Sequence, residues 1–270
     1  TRQEILIWTD VSLYSMRFTG PPFTFGFALV SNNISAISPN AVVAIGDRIF
    51  WMDRENFYTY TGRAEVIPCT VLRYIFDDIN LAQSRKFFAG ANRMFNEIFF
   101  FYVSSDATEI DRYAKFNYTE NTWDIGTLSR TAWVDFGIHD NPRGAGAASS
   151  VEYIYNHENT ENDDGSAMES FIESADFDIG DGNEFLFVSK LIPDVVVTGT
   201  DAEVGYVIKT RSFPGDSLVT EASATITATT QQSDIRCRGR SATLRVSSAK
   251  TDTSWTLGDT RLSVRPDGRR

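Results

Sequence analysis

Residues 5–18, ILIWTDVSLYSMRF, and residues 48–63, RIFWMDRENFYTYTGR, superpose without a gap. Trp8 falls on Trp51, Asp10 on Asp53 and Tyr14 on Phe57, each 43 residues apart. Both stretches alternate apolar and polar residues, break at a polar turn and return through a second alternating run, as two-stranded hairpins do. A third unit, EIFFFYVSSDATEIDRYAKFNYTENTWDIG, is a longer hairpin turning around Ser104 to Thr108. A fourth begins at VEYIYNHE and continues through SAMESFIESADFDIG. Hairpins that recur every 43 to 54 residues have the spacing of propeller blades, small antiparallel sheets that bury their faces against their neighbours.

The expected fold is therefore all-β. Large rings such as Trp8, Trp51, Tyr60, Trp123 and Trp133 would fill the wedges between blades rather than stack on a ligand. One segment breaks the pattern: PCTVLRYIFDDINLAQSRKFF places Val71, Leu72, Ile75, Phe76 and Ile79 at helical spacing after Pro68. DNPRGAGAASS, residues 140–150, has the composition of a linker. From about residue 190 the strands become rich in Thr, Ser and Val. The division this suggests is β-propeller-like blades over 1–190, with a helical insertion near 69–86, and a smaller C-terminal unit over 191–270. Periodicity leaves open whether that unit is β-sandwich-like or closes the propeller. The chain does not begin with Met and enters a strand-like run at once, so the blades are expected to be an incomplete set from a longer protein.

Charge is unevenly placed. Residues 151–201 hold thirteen acids against Lys190, whereas residues 235–270 hold nine Arg and Lys against Asp252, Asp259 and Asp267. An acidic face and a basic tail of this kind are suited to meet each other in neighbouring copies. In the run RCRGR, Arg236, Arg238 and Arg240 point the same way if the segment is a strand, and little aromatic interleaving is present for stacking on bases. Protein contact is the better reading of that stripe. Cys69 and Cys237 lie far apart in contexts unlike a metal site and are expected to be free, buried thiols. No run of 18 apolar residues offers a membrane span.

Catalytic motifs are scarce. His139 and His157 are the two histidines, and no G-x-S-x-G, H-E-x-x-H or G-x-x-x-x-G-K-[ST] sequence is present. Glycoside hydrolysis needs only two carboxylates across a sugar, and Tyr153 and Tyr155 would suit a sugar platform, so a carbohydrate-active or carbohydrate-binding propeller is the rival reading. TDTSWTLG keeps Asp252 and Trp255 of the Asp-box of sialidase-like propellers but lacks its Gly. The stretch most like a calcium loop, or like the carboxylate cluster of an enzyme, is SADFDIGDGNEFLFVSK, residues 174–190. Counted as an EF-hand loop from Asp176, it has Gly180 at position 5, Asp181 where Gly is required and Phe187 at position 12. A Gly-Asp-Gly turn between two strands fits better, with Phe171, Phe177 and Ile179 buried and Glu173 and Asp178 facing solvent or a lumen.

Taken in order, IWTDVSLYSMRFTGPPFTFGF, SPNAVVAIGDRIFWMDRENFYTYTGR, CTVLRYIFDDIN, NEIFFFYVSS, DRYAKFNYTENTWDIGTLSRTAW, SADFDIGDGNEF and VRPDGRR resemble the tail nozzle proteins of short-tailed phages, also called tail tubular protein B or packaged-DNA stabilization protein. The resemblance runs from about Ile7 to Arg270. It implies a non-enzymatic virion protein, without a cofactor or membrane span, made in the host cytoplasm. It further implies a ring of six copies, joined to the tail adaptor or portal and to tail fibre proteins, whose channel retains and then conducts genome DNA. A conduit should bind phosphate weakly, since every Lys or Arg contact would act as a brake. Glu152, Glu158, Asp163, Asp164, Glu173, Asp178 and Asp181 are then candidates for the channel or acidic surface. Arg236, Arg238, Arg240, Arg245, Arg261 and Arg265, with Arg269 and Arg270, are candidates for the subunit interface.

Overall fold

The computed structural model describes residues 4–137, 139–146 and 153–269. The chain is all-β: 53% strand against 5% helix, arranged in many small antiparallel sheets, none of which closes into a barrel among the described residues. It divides into two compact units, Thr1–Asn159 and Thr160–Arg270. The boundary expected at residue 190 instead falls inside the strand Leu186–Ile192, the middle strand of a three-stranded sheet. Upstream of it, Ser170–Glu173 already pairs with Ser241–Ser248. The shift from acidic to Thr- and Ser-rich texture changes the surface but not the sheet.

The first unit opens with the sheet Ile5–Trp8, Ser12–Gly20 and Thr24–Asn32. A four-stranded meander follows: Val42–Ile45, Arg48–Met52, Phe57–Tyr60 and Ala64–Ile67. The helical segment appears as the short helix Leu72–Asp77 and a 3-10 turn, Leu81–Lys86, capped by the Asn80 side chain. A second meander comprises Phe88–Asn92, Glu97–Tyr102, Arg112–Asn117 and Thr122–Thr127. All six residues of Glu97–Tyr102 are buried, as a strand covered on both faces requires. Phe57, Phe100 and Trp123 converge at 4.5–6.3 Å between ring centroids in a core that draws on both meanders. The aromatics therefore pack mainly on one another, as expected.

The aligned hairpins are not structurally identical. Trp8 pairs with Leu13, whereas Trp51 pairs with Tyr58, so the first hairpin is two residues tighter than the second in the alignment. The Thr9 hydroxyl accepts from the Ser12 amide there, while the Asp53 carboxylate accepts from the Arg54 amide in the second turn. A shift of two residues keeps every side chain of the return strand on its own face. Leu13 is buried on the side of Trp8, and Tyr14 lies on the side that corresponds to Phe57's but is only half-buried where Phe57 is fully buried. The two tryptophans still meet edge to face, 5.5 Å apart.

Two expectations fail in the region after Thr127. Residues 143–146 are no linker: Arg143–Gly146 is the middle strand between Arg130–Val134 and Ile154–Asn156. Its glycines leave room for side chains crossing the strand, since a Cβ at Gly144 would lie 2.9 Å from Arg130 and one at Gly146 2.8 Å from Tyr155. The fourth hairpin does not form as one piece either. Ile154–Asn156 pairs within the first unit, and Ser170–Glu173 pairs within the second.

In the second unit, two sheets share one core. One runs in the order Ser170–Glu173, Ser241–Ser248, Val204–Arg211, Val219–Ile226, with Phe177–Asp178 also pairing with Ser241–Ser248. The other runs Ser233–Gly239, Leu186–Ile192, Arg261–Pro266. Leu186, Val188, Tyr206, Ile208, Cys237 and Val246 meet between them. Both cysteines are free, Cys237 buried and Cys69 half-buried.

Candidate functional site

The acidic stretch and the basic strands expected to meet in different copies meet here within one unit. Glu173 lies opposite Arg245 across neighbouring strands. It accepts from Lys209 Nζ at 3.0 Å and from Arg245 Nη1 at 3.1 Å. Arg245 also reaches Glu169 and lies 3.8 Å above the Phe171 ring. Partial desolvation alone would raise the Glu173 pKa, but its bonds to Lys209 and Arg245 outweigh it and lower the pKa. Asp176 forms an ion pair with Arg211. Phe171, expected to be buried, is instead exposed beneath Arg245, on the same side of its strand as Glu173.

The Gly180–Asn183 turn is closed by a hydrogen bond from the Asn183 amide to the Gly180 carbonyl. Gly180, Asp181 and Gly182 all have positive φ, which explains the glycines on either side of Asp181. The strands it joins pair with different partners, Phe177–Asp178 in one sheet and Leu186–Ile192 in the other, so it is a crossover between sheets and not a hairpin. The group that gathers its backbone oxygens is a guanidinium. Arg240 Nη1 donates to the carbonyls of Gly182 and Asn183, both at 3.1 Å, and Nη2 donates to Arg269 at 3.0 Å. Among the described residues, no cluster of three His, Cys, Asp or Glu is placed to hold a metal ion.

Two of the three stripe arginines follow the alternation: Arg236 and Arg238 are exposed while Ile235, Cys237 and Gly239 are buried, whereas Arg240 lies beyond the strand Ser233–Gly239 and is half-buried. Its members nevertheless have different environments. Arg238 pairs with Asp267 at 2.6 Å and lies 3.9 Å from the Phe185 ring centroid. Arg265 lies 4.9 Å over Phe187, which faces Arg238 on one side and Arg265 on the other. Arg236 and Arg261 are exposed with no ion pair among the described residues. Arg238, Arg240 and Arg245 are thus engaged internally, which the sequence did not signal because the partners are 29 to 76 residues away.

The acidic candidates are dispersed. Asp163 and Asp164 occupy an exposed turn in which Asp164 and Gly165 have positive φ. That turn is fastened to Asp252 by Asn162, whose Nδ2 donates to the Asp252 carboxylate at 2.6 Å. Asp178 and Asp181 are exposed. Glu158 belongs to the other unit, where its carboxyl accepts from Asn92; desolvation and the nearby Glu97 raise its pKa. Glu152 lies outside the described residues. Compared with known proteins, the chain matches no family model and no curated protein.

Two grooves carry carboxylates, and the one of about 420 Å³ is bordered by Asp201 and Glu203, the latter paired with Lys250 at 3.2 Å. The groove of about 340 Å³ bordered by Ala89–Ala91 and Trp133 contains one carboxylate, Asp135, held by Arg93 at 2.6 Å. His157 accepts from Arg130 Nε at 3.0 Å and stacks near Trp133, and His139 is 3.3 Å from Arg143. Tyr153 and Tyr155 stand at 72° to one another, which does not make a flat platform.

Proposed function

We propose that this chain is a structural, non-enzymatic component of the nozzle of a short phage tail, forming a ring whose channel retains and then conducts genome DNA. The supporting observation is the succession of two four-stranded antiparallel meanders, joined by a short helical segment and packed through aromatics. The ordered phrases that resemble nozzle proteins fall on these elements: SPNAVVAIGDRIFWMDRENFYTYTGR on the first meander and NEIFFFYVSS with DRYAKFNYTENTWDIG on the second. Stacked meanders are the building pattern of a propeller blade.

A six-fold ring needs two different faces on each copy, because isologous pairing closes at two. The exposed Asp163, Asp164, Asp178 and Asp181 are the residues assigned to the acidic surface past which the duplex would slide. Arg236, Arg261 and Arg265 are assigned to contact with a neighbouring copy or with the adaptor. Glu173, Arg238, Arg240 and Arg245 serve first to hold their own unit together. Tail fibre proteins would be further partners in the virion.

Electron microscopy of the purified protein, alone and with the tail adaptor, tests this. Rings with a central opening wide enough for a duplex, about 20 Å, are the expected result. Solitary particles that bind a glycan array would refute the nozzle and favour the carbohydrate-binding alternative.

A further inference from the structure

The outer face of the sheet Ser233–Gly239, Leu186–Ile192, Arg261–Pro266 has a charge opposite to that of the chain as a whole. Its inner face supplies Ile235, Cys237, Leu186, Val188 and Leu191 to the core. Alternation sends Arg236, Arg238, Phe187, Arg261 and Arg265 to the other side, where the four arginines are exposed. Lys190 joins them beyond a bulge, opposite Asp234. Phe187 lies between Arg238 and Arg265 of the adjacent strands, and both guanidinium groups are held in place. Arg265 sits 4.9 Å over Phe187, while Arg238 pairs with Asp267 and lies 3.9 Å from the Phe185 ring centroid. An aromatic centre with an arginine rim has the composition of a protein interface, and side chains already ordered lose little freedom on docking.

We infer that this basic face takes the acidic surface of a second copy of the chain, head to tail. Residues 1–234 hold 16 Arg and Lys against 33 Asp and Glu, so the rest of each copy is strongly acidic. Exposed acids such as Glu161, Asp201 and Glu221 have no ion pair among the described residues, which leaves their charge uncompensated. Two basic faces repel, as do two acidic surfaces. Complementarity is met only when the basic face of one copy meets the acidic surface of the next. A DNA duplex suits this face less well. Asp234 and Asp267 stand among the cations, and their carboxylates would oppose a continuous row of phosphates. A contact between two different surfaces is the kind a ring requires. The inference deepens the proposed nozzle and rests on that reading for the number of copies alone.

The test compares wild type with Arg236→Glu/Arg261→Glu by mass photometry and sedimentation velocity at low and high salt. Arg54→Glu/Arg73→Glu, which changes the net charge equally but in the first unit, is the control. All four arginines are exposed with no ion pair among the described residues, so circular dichroism melting should be unchanged. The expected result is an oligomer in wild type and control that salt dissociates, with a dissociation constant about a hundredfold higher in the face variant. The face variant keeps its acidic surface, so a small proportion of it added to wild type should cap the assemblies and shorten them. A wild type that stays monomeric, a control that dissociates as far as the face variant, or a face variant that does not cap overturns the inference. So does a DNA duplex that shifts in mobility with wild type and not with the face variant, because the duplex would then be the occupant. A ring unaffected by the substitutions would leave the nozzle standing and remove this face from it. Open head-to-tail chains abolished by them would keep the face and refute the ring.

Discussion

Replacing Arg240 with Ala should destabilise the C-terminal unit by about 2 kcal/mol. The guanidinium donates three hydrogen bonds, to Gly182, Asn183 and Arg269, and lies 4.7 Å from the Phe185 ring centroid. Charged donors reach about 1.5–3 kcal/mol per bond when buried, but these contacts are at the surface, where about 0.5 kcal/mol each is appropriate. The ring contact contributes about 0.5 kcal/mol more. For a unit the size of Thr160–Arg270, about 2 kcal/mol lowers Tm by about 8 °C. Differential scanning calorimetry measures the shift, and proteolysis at the Gly180–Asn183 turn reads its local release. Arg236→Ala is the control: the residue lies in the strand Ser233–Gly239 that leads into Arg240 but has no ion pair among the described residues, so its cost should stay within about 0.5 kcal/mol. Arg240→Lys keeps the charge but loses the planar fork, and should recover less than half of the stability. Equal melting of Arg240→Ala and Arg236→Ala, or full recovery by Lys, would refute the assignment of Arg240 as the pin of this turn.

Glu173 titrates below the ordinary carboxylate range when folded, so its stabilisation is present above the unfolded pKa and lost as pH falls through the folded one. Urea unfolding should therefore separate wild type from Glu173→Gln at pH 7 and show the gap closing under acid. Trp51 is fully buried against Trp8 and Tyr58, and Trp51→Ala should cost about 3–5 kcal/mol in chemical denaturation, with loss of near-ultraviolet dichroism. Burial pushes the Cys69 thiol up to about 11 and raises that of Cys237. Both should react slowly with iodoacetamide at pH 8 in the native protein, and fast once guanidinium unfolds it.

Alternation and turn chemistry are local, and what depends on them was legible in the sequence. Glu97–Tyr102 and Arg112–Asn117 could be read as a hairpin because apolar runs flank a polar break, and the exposed Arg236 and Arg238 followed from a period of two. Glycine misled where its role was tertiary. Gly144 and Gly146 read as linker, yet they give Arg130 and Tyr155 room to cross a central strand. The engagement of Glu173, Asp176 and Arg240 was equally hidden, because charge counts show how many partners exist but not which are within reach.

The order of residues alone determined an all-β chain with a helical interruption near Leu72, aromatic wedges and unpaired thiols. Those properties follow from hydrophobic period and backbone preference over a few residues. Tertiary structure alone decided that Thr160, not residue 191, begins the second unit, and that Glu173 and Asp176 of the acidic stretch are paired within their own unit. It also decided that the first hairpin is two residues tighter than its aligned counterpart, with Tyr14 half-buried where Phe57 is fully buried. Register and long-range pairing depend on which strands come together, and no local pattern encodes that choice.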